Sequence, residues 1–155
     1  MEIILDLQNV IDSKQIPDLS NMKKWISATL ENLNANFNQP EVTIRVVSLA
    51  ESQELNHQYR DKNQPTNVLS FPFEVPEMIP VEDFAEFLGD LVICEDIIVQ
   101  EAKEQKKSLE SHWAHMIIHG LLHLVGFDHI TAKDAEEMEG IEVKVLAELG
   151  FANPY

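Results

Sequence analysis

With 155 residues, 45% of them hydrophobic and 25% charged, the chain has the size and composition of one ordinary globular domain, which excludes disorder over its length. A formal charge of −16 works against indiscriminate binding to nucleic acid or an anionic membrane, although a local basic groove stays compatible because exposed charges act over only about 8 Å at physiological salt. One cysteine, Cys94, excludes a disulfide framework and a cysteine-built zinc site; with no signal-type start in MEIILDLQNV and no membrane-length apolar stretch, the expectation is a single cytoplasmic domain over residues 1–155.

In chain order, EIILDL (2–7) reads as a short strand. Ser20 then opens a helical stripe of Met22, Trp25, Ile26, Leu30, Leu33 and Phe37 that Pro40 stops. EVTIRVVSL (41–49) alternates Val42, Ile44 and Val46 against Thr43, Arg45 and Val47, a strand pattern. Ser48 and Glu51 form a capping box for a short helix with Leu55 and Tyr59 on one face. The loop RDKNQPTN (60–67) leads into VLSFPF (68–73), an edge strand because Pro72 lacks the N–H that a central strand needs. An acidic, proline-broken stretch (74–87) follows, then the buried strand LGDLVIC (88–94) and helices over 95–107, 109–125 and 132–149. Thr131 and Asp134 cap the last helix, Gly150 ends it, and Met138, Ile141, Val145 and Leu149 face the core. The order β-α-β-α-β-β-α-α-α predicts an α+β fold: one small mixed sheet of about four strands packed with about five helices.

Five of the six histidines fall in HWAHMIIHGLLHLVGFDH (112–129). His119 and His123 are four residues apart, so a helix returns them to one face about 6 Å apart along its axis. Gly126 permits the sharp turn that brings His129 round as a third nitrogen ligand. Three neutral imidazoles suit zinc, and also nickel, iron or copper, and three protein ligands rather than four leave a position for water, the mark of a catalytic site. The bland alternative is a set of hydrogen-bonded core histidines. The helix is otherwise apolar, and burying several imidazoles without partners costs about 1–3 kcal/mol each, which one ion removes for three of them together. His115, one turn earlier, has a fourth-ligand role as an alternative but is assigned to packing or to support behind the ligands, and His112 and His57 are assigned to the surface or helix ends. Asp128 and Asp90 are candidates to accept a ligand's remaining ring N–H, with turn roles as alternatives.

The motifs HGLLHLVGFDH (119–129), YRDKNQPTNVLSFPFEVP (59–76) and LGDLVIC (88–94), with AHMIIHG (114–120) and EIILDLQ (2–8), resemble the YbeY family of bacterial endoribonucleases over nearly the whole chain. The resemblance implies that His119, His123 and His129 bind one metal ion, most simply zinc, that Arg60 is the essential arginine, and that His119 and Arg60 are the catalytic pair. It implies an α+β fold with a zincin-like metal helix and turn, single-strand-specific RNA cleavage in 16S rRNA 3′-end maturation and ribosome quality control, and the small ribosomal subunit, its basic proteins or a maturation GTPase as partners, with no membrane.

One departure from the zincin pattern constrains the chemistry: Gly120 stands where those proteases carry glutamate after the first histidine, so no general base is built into the helix. Attack by a 2′-OH and attack by metal-activated water both stay open. Arg60 suits a phosphate through its planar fork of donors, with a surface ion pair as the alternative. Lys62 is a candidate for a second phosphate, Thr66, Asn67 and Ser70 for polar contacts to substrate, and Phe71 and Phe73 for stacking or for the core. The rival readings are a metallopeptidase and a non-enzymatic ribosome assembly factor with a bound metal.

Overall fold

The computed structural model describes residues 1–34 and 36–155. Its elements are β1 (Ile4–Asn9), α1 (Leu19–Glu31), β2 (Glu41–Val47), α2 (Leu49–Arg60), β3 (Val68–Pro72), β4 (Phe87–Cys94), α3 (Glu95–Glu104), α4 (Leu109–Leu124) and α5 (Ala132–Glu148). The element order is the one expected from the sequence, and the fold is α+β. The strands lie in the order β1-β2-β4-β3; β1, β2 and β4 run parallel and β3 pairs antiparallel with β4. Pro72 thus sits on an edge strand, opposite Gly89, where its missing N–H removes no bond from a second neighbour.

Period-two alternation splits the sheet into two faces. Val42, Ile44, Val46, Val68, Leu91 and Ile93 join the main core with α1, α4 and α5, while Val47, Leu69, Val92 and Cys94 form a smaller cluster with Leu55, Phe71 and Ile97 on the other side. The helix α4 is the centre of the main core: Trp113, Ala114, Ile117, Ile118, Leu121 and Leu122 are all fully buried. A helix apolar nearly all round has to be enclosed, and α1, α3, α5 and the sheet enclose it.

Several boundaries differ from the sequence reading. The first helix begins at Leu19, with Asp18 rather than Ser20 before it, and stops at Glu31, well short of Pro40. Asn32 ends it by turning its side-chain amide back onto the Ala28 carbonyl, the competition with the backbone that makes asparagine a poor helix residue. Leu33 and Phe37 still pack against the core from outside the helix, and residue 35, within the predicted helix, lies outside the described residues. Ser48 does accept the Glu51 N–H, but the Glu51 carboxylate completes no capping box; it takes two bonds from Arg45 at 2.6 and 3.1 Å. The stretch 74–87 holds a short 3-10 turn, Val81–Phe84, pinned by a cluster of Phe73, Phe84 and Phe87.

Candidate metal centre

The helix α4 ends in a turn that builds the site. Gly126 adopts φ +105°, its N–H bonds to the His123 carbonyl at 3.1 Å, and the Phe127 N–H reaches back to Leu122 at 3.0 Å. These two bonds are a Schellman motif, which satisfies carbonyls that the helix end would otherwise orphan. The motif also places the Phe127 carbonyl 3.0 Å from Nδ1 of His123 and carries the chain round to His129. One potential ligand atom from each of His119, His123 and His129 lies within 4.8 Å of the others. The ring centroids stand 4.7, 5.6 and 5.1 Å apart for the pairs 119–123, 119–129 and 123–129.

Hydrogen-bond partners fix which nitrogens are free. A carbonyl only accepts, so His123 carries its proton on Nδ1 and leaves an Nε2 lone pair. His119 Nδ1 lies 3.1 Å from Oε1 of Glu142, and an ionised carboxylate likewise only accepts. With both rings neutral, the two Nε2 atoms face each other at 3.2 Å as lone pairs, and neither donates to the other. Two nitrogens sharing one tetrahedral zinc at about 2.0–2.1 Å would stand about 3.3 Å apart. The donor set and its spacing fit a metal ion.

Behind the triad lies a buried polar group that the sequence reading missed. Glu142, 0% exposed, accepts from His119, from His115 Nε2 at 2.5 Å and from the Tyr155 hydroxyl at 2.9 Å. Burial pushes its carboxyl up, but the bonds from His115 and His119 outweigh this and hold it at about 2. Burial lowers the pKa of His115, against the pull of Glu142, and that of His123, with the His119 charge adding to the effect. His115 therefore supports the ligand helix from behind. The signal for Glu142 was present in the sequence: it falls among Met138, Val145 and Leu146, a charged residue inside the buried stripe of α5.

A cleft of about 750 Å³ opens on the triad, and Arg60, Thr66, Asn67, Ser70, Asp128 and Tyr59 also line it. Despite the chain's overall charge of −16, Asp128 is the only carboxylate among the described lining residues. Asp128 is exposed and accepts from its own neighbour, the His129 N–H, so the partners of the His119 and His123 rings are Glu142 and Phe127 instead. Asn67 is committed to structure, since its amide donates to Glu101 and its oxygen accepts from Val68 N–H. Ser70 donates to the Gly120 carbonyl, and the Thr66 backbone is held by the Ser52 hydroxyl through both N–H and C=O.

Two expected residues lie elsewhere. Lys62 is exposed on the loop after α2, outside the lining of the cleft. Asp90 precedes the core residue Leu91, so alternation turns it to the opposite sheet face, beside Gln8, Thr43, Arg45 and Glu51. His112 is not at the surface: it is 1% exposed and bonds to Glu101 at 2.9 Å. That bond is the main reason the Glu101 carboxyl sits below its usual range. Phe71 is half-buried and met edge-on by Tyr59 at 5.1 Å, whereas Phe73 belongs to the separate aromatic cluster. Tyr59, 60% exposed at the cleft rim, was read from sequence only as part of a helix face.

The pattern of the family described as Endoribonuclease YbeY matches residues 6–150. A curated relative, Endoribonuclease YbeY of Colwellia psychrerythraea, is 50% identical over 156 residues, covering 100% of this chain and 98% of the relative. The solution structure of a Thermotoga maritima protein superposes with a TM-score of 0.56 at 27% identity, covering 96% of this chain and 91% of that one. Among the described residues no helix is long and apolar enough to cross a membrane. With a match along nearly its whole length, the chain belongs to the YbeY endoribonuclease family.

Proposed function

We propose that this chain is a zinc-dependent endoribonuclease that cuts single-stranded RNA, acting as one domain in the cytoplasm on the 3′ end of 16S rRNA precursors. His119, His123 and His129 hold the ion, and Arg60 grips the scissile phosphate. The observation that carries the reading is the convergence of three imidazole nitrogens in the same cleft as Arg60. A bound zinc supplies Lewis acidity toward a phosphoryl oxygen or water. The Arg60 guanidinium presents parallel N–H donors to two phosphate oxygens and orients the phosphodiester. A cleft with one carboxylate admits a polyanion that the rest of this acidic surface repels. The hydroxyls of Thr66, just before the edge strand, and of Ser70, as an acceptor because its proton goes to Gly120, offer polar contacts, and the exposed acidic surface suits docking to basic ribosomal proteins.

The missing zincin glutamate speaks against peptide hydrolysis. Gly120 is sealed against the sheet, where a Cβ would fall 2.9 Å from Leu91 and 3.0 Å from Val68. The deciding experiment compares wild type with His119→Ala, freed of contaminating nucleases, on single-stranded RNA, duplex RNA and peptides. Wild type is expected to cut single-stranded RNA, to stop when chelated and to resume with zinc, while folded His119→Ala stays inactive. Equal RNA cleavage by a folded, metal-free His119→Ala protein, or peptide turnover without RNA cleavage, overturns the reading.

A further inference from the structure

We propose that Glu142, itself held by Tyr155 and His115, is the positioning residue that keeps His119 in its Nδ1–H form and so aims the Nε2 lone pair into the cleft. The inference rests on the metal-site reading above and assigns a role to residues outside the triad.

The geometry is a fully used carboxylate. Oε1 of Glu142 faces Nδ1 of His119 at 3.1 Å, while Oε2 receives the Tyr155 hydroxyl at 2.9 Å and Nε2 of His115 at 2.5 Å. Three donors from α4 and the C-terminal segment converge on one side chain that is 0% exposed. The partners on Oε2 prevent the carboxylate from rotating, so Oε1 has one place to be. His119 is 22% exposed in its side chain and needs such an anchor, since an imidazole free to flip would as readily present Nδ1 to the cleft. The two rings carried by α4 are thus fixed in different ways: His123 by the Phe127 carbonyl of its own helix end, and His119 by a side chain of α5. Bonds of this kind to the far nitrogen of a ligand typically change metal affinity by about 10- to 100-fold.

The test uses the full chain. Imidazole ¹⁵N NMR of the metal-free protein reads the His119 tautomer directly, and competition against a chromophoric chelator reads zinc affinity. Wild type is expected to show a single Nδ1–H form at His119. Glu142→Gln is expected to show mixed or reversed tautomers and to bind zinc about 10- to 100-fold more weakly, and Glu142→Asp to recover part of the loss. Tyr155→Phe, which removes one hydroxyl from a side chain 62% exposed, is expected to weaken binding by a smaller factor and serves if Glu142→Gln does not fold. Unchanged tautomer and unchanged zinc affinity in Glu142→Gln, or in Tyr155→Phe where only that variant folds, overturn the proposal. Failure of the wild type itself to take up zinc instead overturns the metal reading on which it rests.

Discussion

The hydroxyl of Ser70 donates to the carbonyl of Gly120 at 2.9 Å, and a side chain begun at Gly120 would come within 3.3 Å of that same hydroxyl. The helix that carries two of the three imidazoles is therefore seated on the edge strand so closely that any side chain at 120 must displace Leu91 or Val68. Gly120→Glu, which restores the zincin residue, is expected to destabilise the protein by about 1–3 kcal/mol, because overpacking and an unpaired carboxylate at a buried position together outweigh the roughly 1 kcal/mol that glycine costs inside a helix. It should confer no peptide hydrolysis, because the new side chain starts against Leu91 and Val68. Urea denaturation and a peptide assay check both statements; a stable variant with peptidase activity contradicts them.

The two arginines should behave oppositely. Arg45 is bound by Glu51 and Gln8, whereas Arg60 is exposed and makes no ion pair among the described residues. Arg60→Lys keeps the charge and loses the two-pronged geometry, and is expected to lower kcat/KM on RNA at least tenfold with stability within about 0.5 kcal/mol of wild type. Arg45→Lys should leave cleavage near wild type. Steady-state kinetics on one fluorescent oligonucleotide separates them, and equal losses for both would refute the distinction.

Tyr59 sits at the rim of the cleft with its ring braced edge-on by Phe71. An exposed, braced ring beside Arg60 is suited to stack a base, a contact worth about 1–3 kcal/mol. Tyr59→Ala is expected to raise KM for single-stranded RNA about 5- to 100-fold with a smaller effect on kcat, and Tyr59→Trp to retain binding. A KM unchanged in Tyr59→Ala would place the base elsewhere.

Acid should unfold the metal-free protein in two stages. Burial holds His115 and His123 below the ordinary 6.5, so below that value the unfolded chain binds protons first; their share of stability is complete above pH 6.5 and declines as pH falls through it. Glu142, held at about 2, contributes stability that is complete above the unfolded carboxylate value and drains away as pH falls from about 4.3 toward 2. Thermal midpoints measured in high salt, which screens the relief of self-repulsion near the isoelectric point of about 4.6, should be flat above pH 7 and fall below it. Bound metal should leave over the same first stage, since protonated imidazole cannot ligate. A midpoint rising between pH 7 and 5 contradicts the assignment.

What could be read from sequence was what depends on near neighbours. The spacing of His119 and His123, the glycine that turns the chain to His129 and the proline that marks β3 as an edge are local rules, and each is met. The support around the site was less legible because it comes from packing. Glu142 and Tyr155 reach the histidines only once α5 and the C-terminal segment lie against α4, and Glu101 reaches His112 from α3. Asp90 was misplaced by one step of strand parity: its neighbour Leu91 faces the ligand helix, so Asp90 cannot. The Glu51 carboxylate left the expected cap for Arg45, a stronger, charge-assisted bond across elements.

The Schellman turn at Gly126 also bears on the order in which the molecule assembles. All three nitrogen donors come from residues 119–129, so gathering them closes a very short stretch of chain and costs little entropy. Helical turns form within about a microsecond, far sooner than a parallel sheet whose pairings are distant in sequence. The histidine half of the site is therefore local in the chain, whereas the Glu142 and Tyr155 half waits until α5 and the C-terminal segment have docked on α4.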